Sequence, residues 1–294
     1  MSKRNLGLIY TGLSAIMYGF SAVITKIITI RGVSISTTLF LRGLLGACIL
    51  FIILKLQHQS LKLSSKCLYK ILLLCLLGST ATMLFLNIAY LYLPVGSATT
   101  IHYIYPIVIT VIDCILKRKR PNKIAVIVLI VCTAGVSLLF ESITSHQYIG
   151  IVFAACSIFT WSFQMIYLER SNLTKLPPQL LAFYQNLILA VVGLFCGLFT
   201  HHTFSTALTA LPYIFLASIF NNVLANMLIQ RGIARVGAST AAILSVFEPI
   251  SSILFGVMLL QETLSEKQIA ACVLILSVIT VMIWYNVKSN IERK

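Results

Sequence analysis

Ten apolar stretches, each long enough to cross a bilayer as a helix, follow one another with almost nothing between them. They cover about 6–30, 36–56, 67–92, 95–116, 123–140, 148–168, 178–200, 207–230, 236–260 and 267–287. A helix needs roughly 20 such residues to span a ~30 Å hydrocarbon core. Of the 294 residues, 59% are hydrophobic and only 10% charged, and mean hydropathy is +0.98. Little is left for loops, so no soluble domain fits. The expected fold is an all-α polytopic membrane protein of ten transmembrane helices. The first stretch follows Lys3 and Arg4. It exceeds the roughly 7–15 residues of a cleaved signal's apolar region, so it is expected to remain in the mature protein.

The net charge of +15 raises the question of nucleic acid, and its distribution answers it. With the N-terminus cytoplasmic and ten helices alternating, 18 Lys and Arg fall on the inner side. They include Lys3, Arg4, Lys66, Lys70, the run Lys117–Arg120, Arg231 and Arg235. Only Arg31 and Lys267 fall outside, while Lys26 and Arg42 lie within helices one and two. The positive-inside rule then places both termini in the cytoplasm, across the inner (cytoplasmic) membrane. The basic loops meet anionic lipid, and KRKRP at 117–121 is a cytoplasmic loop. The eight cysteines lie in or beside apolar helices with no C-x-x-C pair, as small hydrophobes do. His201–His202 belongs to an expected outer loop.

An internal repeat organises the chain. A shift of 143 residues places Gly7 on Gly150, Ser14 on Ser157, Phe20 on Phe163, Phe40 on Phe183, Ile71 on Ile214, Ala98 on Ala241 and Pro106 on Pro249. Tyr18 meets Trp161, one aromatic for another. The register holds without a gap and divides the chain into 1–143 (helices one to five) and 144–294 (helices six to ten). Five is odd, so the second copy enters the membrane in the opposite sense. Inverted repeats are a common build of secondary transporters, with substrate near the midplane between the copies. Proline-interrupted helices in corresponding places point to that site; here they are helices four and nine, with Pro106 and Pro249 as hinges.

Helix nine carries the most telling residues. In VGASTAAILSVFEPISSILFGVMLLQE (236–262), Glu248 and Pro249 stand adjacent at mid-membrane. A carboxylate at that depth needs water or a partner and marks function by default. The proline deprives the carbonyl of Ser245 of its helical donor. Ser245, Glu248 and Ser252, at i, i+3 and i+7, are expected on one inward face. In helix four, His102, Tyr105, Pro106, Ile109 and Asp113 recur at helical spacing. Asp113 sits near the cytoplasmic end, where pairing with the Lys117–Arg120 cluster is the plainer expectation. Tyr18 and Trp161, as repeat mates, are expected to form cavity walls.

Arg42 of helix two has Gln185 as its mate, and Asn87 lies on helix three. Small hydroxyls such as Ser14, Ser21 and Thr25, and the asparagines Asn222 and Asn226, more often join helices than bind ligand. The candidate substrate-binding set is therefore Glu248, Arg42, His102, Tyr105, Tyr18, Trp161, Gln185, Asn87 and Ser245. Arg42 and Glu248 either pair with each other or bind opposite ends of a substrate. In the second case Glu248 carries a coupling proton or anchors a cation, and Arg42 holds a carboxylate or phosphate.

Two copies of five helices, A-x(7)-P in helices four and nine, and the closing run EPISSILFGVMLLQETLSEKQIAACVLILSVITVM resemble the EamA branch of the drug/metabolite transporter superfamily. The first copy departs from the pattern: Tyr105 precedes Pro106, and Lys119 stands where the second copy has Glu262. The resemblance implies a central cavity opened alternately to the two sides, with export as the expected direction. A small polar metabolite, an amino acid or a similar zwitterion or amine, would satisfy both charges. The alternatives are a multidrug or lipophilic-cation exporter and a lipid-linked precursor flippase. No Ser–His–Asp set at depth, H-E-x-x-H, intramembrane aspartate pair or Gly-rich phosphate loop occurs. The expectation is therefore a transporter without cofactor or metal rather than an enzyme. Its partners are a small-molecule substrate, protons if transport is coupled, and the lipid bilayer.

Overall fold

The computed structural model describes residues 3–116, 145–200 and 204–263 apart from Val246, with isolated positions at 127, 131 and between 265 and 281. All its described elements are helices. The first copy contributes α1 (Lys3–Ile30), α2 (Ile35–Leu56), α3 (Ser65–Leu74), α4 (Thr80–Tyr92), α5 (Val95–His102) and α6 (Tyr105–Leu116). The second contributes α7 (Ser145–Arg170), α8 (Pro178–Thr200), α9 (Phe204–Thr209), α10 (Leu211–Ala217), α11 (Asn226–Leu244) and α12 (Phe247–Leu260). Local chemistry sets the ends. Ser34 and Ser64 cap α2 and α3, accepting the amides of Thr37 and Cys67 at 3.3 Å, which satisfies donors a helix start leaves orphaned. Pro178 opens α8, where its missing N–H costs nothing.

Six helical runs are long and apolar enough to cross a membrane: Lys3–Ile30, Ile35–Leu56, Ser65–Tyr92, Gln147–Arg170, Pro178–Phe199 and Leu211–Ala242. The expected helices four and nine are not continuous. Helix four breaks at Tyr103 and Ile104, between α5 and α6; helix nine breaks between Leu244 and Phe247. These breaks fall within one residue of matching repeat positions, just before Pro106 and Pro249. Gly237, with φ 81 and ψ 162, separates helix nine from helix eight inside α11, a left-handed backbone that glycine adopts without a Cβ penalty. The expected helix five and most of helix ten lie outside the described residues.

The antiparallel seam between α2 and α8, which are repeat mates, shows that the copies are inverted. A Cβ on Gly43 would meet the backbone of Ala190 and Asn186, one on Gly46 the Asn186 side chain, and one on Gly193 the backbone of Leu39 and Phe40. As the index rises along α2 it falls along α8, so mates run in opposite senses. With lipid as apolar as leucine, helices associate through such small-residue contacts. Other contacts occur twice. Gly7 packs on Arg235 and Val236, and its mate Gly150 packs on their mates Tyr92 and Leu93. The two broken helices begin alike as well. Val95 N–H donates to the Glu262 carboxylate at 3.1 Å and its mate Ala238 N–H to Glu169 at 3.0 Å, anions at the positive end of a helix dipole.

Candidate functional site

Two π-helical segments, Cys75–Ser79 between α3 and α4 and Ser218–Ala225 between α10 and α11, begin at repeat mates. Such insertions widen a helix locally and recur at functional sites. Here they bring Ser79, Asn221 and Asn226, with Thr82 and Met83 one turn on from Ser79, to the wall of a central cavity of about 80 Å³. The cavity lies between the copies. The first copy supplies Tyr18, Thr25, Arg42, Asn87, Tyr90 and His102; the second supplies Trp161, Gln164 and Glu248. Room for roughly half a dozen waters suits a small solute.

Arg42 is 1% exposed and, among the described residues, has no acidic partner. One guanidinium nitrogen donates to Thr25 Oγ1 at 2.8 Å, the other to Asn222 Oδ1 at 2.9 Å, and Nε has no partner there. Asn222 is held in turn by its own bond to Asn186 Oδ1 at 2.9 Å, while Asn186 donates back to the Asn222 carbonyl at 3.0 Å. Neutral oxygens thus orient the cation without cancelling its charge.

Glu248, 7% exposed, sits in the first turn of α12, where the helix dipole favours an anion. Gly19 of α1 lets the chains close on the Glu248 carbonyl. The freed carbonyl of Ser245 finds a donor after all: Glu248 N–H reaches it at 2.9 Å. Among the described residues neither Arg42 nor any other group forms an ion pair or hydrogen bond with the Glu248 carboxylate. The expected alternative of a direct Arg42–Glu248 pair is not what the structure contains.

His102 ends α5, its Nδ1 2.8 Å from Ser157 Oγ. Because Ser157 gives its proton to the Ala154 carbonyl at 2.6 Å, His102 must donate from Nδ1, leaving Nε2 as an acceptor. Its ring lies 5.2 Å from Tyr105 and 6.1 Å from Trp161, centroid to centroid. The mates Tyr18 and Trp161 meet edge-to-face at 5.7 Å.

The sequence matches the EamA-like transporter family twice, over residues 5–141 and 148–284. The chain belongs to the EamA-like transporter family, within the drug/metabolite transporter superfamily. No curated protein matches it in sequence. A solved crystal structure of a protein with 18% identical residues superposes with a TM-score of 0.63, covering 91% of this chain and 97% of the other; at that identity it speaks for the fold alone.

In this EamA-like transporter, six of the nine residues expected at the site line the cavity: Tyr18, Arg42, Asn87, His102, Trp161 and Glu248. Tyr105 packs beside it, 6.2 Å from Trp161. Gln185 does not follow its mate Arg42 into it. It accepts from Gln230 at 2.8 Å and lines a smaller adjoining space. Ser245 turns back onto the Ala241 carbonyl at 3.1 Å, and Ser252 bonds Thr99 of α5 at 2.6 Å. The expected Ser245–Glu248–Ser252 stripe fails because the helix is broken between its first two members. The Asp113 side chain, the Lys117–Arg120 run and His201–His202 lie outside the described residues. Thr25 and Asn226, read in the sequence as helix-joining groups, are cavity residues, as is Gln164. The arrival of Ser79 and Asn221 has no signal at a helical period of 3.6, because π-helical turns carry them there.

Proposed function

We propose that this chain is a ten-helix secondary transporter of the cytoplasmic membrane, built of inverted repeats 1–143 and 144–294, with both termini cytoplasmic. It exports a small polar metabolite, an amino acid or a similar zwitterion or amine, by alternating access. One observation carries the reading: Arg42 and Glu248 face the same small cavity between the copies without pairing with each other. Leaving two opposite charges unpaired at membrane depth is costly unless a solute of complementary charge completes them. Arg42 receives a carboxylate and Glu248 an ammonium, while Tyr18, Tyr90 and Trp161 enclose the rest. The cavity's size favours this reading over a lipid-linked precursor or a bulky lipophilic cation. Pro106 and Pro249, just after the matched breaks, are the hinges about which access changes.

The test is Glu248→Gln in proteoliposomes, measuring gradient-driven and exchange transport of radiolabelled amino acids. Loss of gradient-driven flux with exchange intact assigns Glu248 the coupling proton. Loss of binding by about 1.5–3 kcal/mol, typical of a hydrogen bond to a charged group, assigns it the substrate ammonium. Full activity with unchanged affinity refutes a direct role.

A further inference from the structure

An open groove lies apart from the central cavity and shares no lining residue with it. Ser65, Lys66, Tyr69 and Lys70 of α3 form one wall and Tyr167 of α7 the other, around a space of about 510 Å³. Lys66 and Lys70 stand one helical turn apart with Tyr69 beside them, so the three share a face. Ser65 is the first residue of one apolar span, and Tyr167 lies in the last turn of another, which ends at Arg170. The groove is therefore at the level where the helices meet lipid headgroups, whichever leaflet that is. Tyrosine is enriched at such a boundary, and Tyr69 is 61% exposed there. Further along α3 the same face turns apolar: Leu72 and Leu76, three and seven residues beyond Tyr69, are both exposed.

The charge of this groove is one-sided. Among the described residues no carboxylate lines it, and Glu169, two residues beyond Tyr167, turns its carboxylate to the Ala238 N–H at 3.0 Å. Lys70 gives one of its N–H groups to the Ser171 carbonyl at 3.1 Å; Lys66 has no ion-pair or hydrogen-bond partner among the described residues. Two ammonium groups over a groove that leads onto an exposed apolar stripe suit an anion that carries hydrocarbon. Basic pockets between membrane helices hold anionic headgroups in this way. We infer that the groove is a binding site for an anionic phospholipid. Its phosphate lies between Lys66 and Lys70, its headgroup against Tyr69 and Tyr167, and an acyl chain along Leu72 and Leu76. A zwitterionic lipid would bring a cation of its own to the two lysines, and a free phosphate would leave the leucines uncovered.

Native mass spectrometry of the purified full chain tests this, with phosphatidylglycerol and phosphatidylcholine of matched acyl chains added in turn to the detergent. The protein should hold phosphatidylglycerol roughly ten- to thirty-fold more tightly. That is a factor of about five for each lysine, the equivalent of the about 1 kcal/mol a basic residue gains near an anionic surface. Lys66→Gln with Lys70→Gln should remove most of the preference. Lys3→Gln with Arg4→Gln takes away the same charge elsewhere and should leave the preference intact. All four side chains are exposed, and an unchanged unfolding temperature in phosphatidylcholine checks that both variants fold. Equal binding of the two lipids by the unaltered protein overturns the inference, and needs no variant. So does an equal loss of preference in the Lys3 and Arg4 variant, which would reduce it to attraction by net charge. Glycerol phosphate binding as tightly as the whole lipid overturns it too, because the apolar stripe would then contribute nothing.

Discussion

Replacing Gly43 by alanine puts a single methyl group into the seam where the two copies meet. Its Cβ would lie 2.5 Å from the Ala190 amide nitrogen, 2.7 Å from the Asn186 carbonyl oxygen and 2.9 Å from Ala190 Cα. Attractive contact lies at roughly 3.5–4.0 Å, so α8 must retreat by about 1 Å. Every atom it meets is backbone, so no side chain can rotate away. Overpacking of this kind costs about 1–3 kcal/mol, partly offset by the roughly 1 kcal/mol that alanine gains over glycine within a helix. Gly12→Ala is the matched control. Its Cβ would sit 3.8 Å from the Phe247 ring, an ordinary contact, so only the gain applies. The difference between the two variants cancels the propensity term and isolates the seam, at about 1–3 kcal/mol. Heating detergent-solubilised protein and tracking the folded fraction by size-exclusion chromatography measures it. Equal stability of the two variants, or a weaker Gly12→Ala, would refute the close backbone approach. Because Asn186 orients Asn222, which holds Arg42, Gly43→Ala should also lower transport.

Pro106→Ala and Pro249→Ala should each leave membrane insertion intact and slow transport, since a restored amide donor favours closing the helix break and biases one access state; wild-type rates in both would reduce the prolines to packing features. On a cysteine-free background, single cysteines at 31–35 and 201–206 should react with an impermeant thiol reagent in intact cells while one at 119 should not, and labelling at 119 from outside would reverse the orientation.

Much of the candidate site was legible because the cost of polar groups at membrane depth singles out residues that the structure places at the cavity. Arg42 and Glu248 stand out since a charge at depth needs a reason, and both line the cavity. The 143-residue register located the paired helix breaks, for proline removes the same hydrogen bond in each copy. Reasoning from mates went astray where the copies have diverged. Gln185 occupies Arg42's place but, being neutral, turns its amide oxygen to Gln230 instead. Face arguments also failed across discontinuities. A π-helical turn admits an extra residue, rotating every later side chain by about 100° relative to an α-helix. Ser79 and Asn221 reach the cavity by that route, and nothing in their spacing announces it.

The glycines of the α2–α8 seam are not shared between the copies. Gly43 has Asn186 as its mate, Gly46 has Leu189 and Gly193 has Leu50. Two first halves set against each other would put Leu50 where Gly193 stands, against the backbone of Leu39 and Phe40. Two second halves would oppose Asn186 and Leu189 to a surface shaped for glycine. Each half is therefore a poor partner for itself and a good one for the other. Were the chain cut between its copies and the pieces made together, they should sort into unlike pairs, with selectivity residing in three missing side chains.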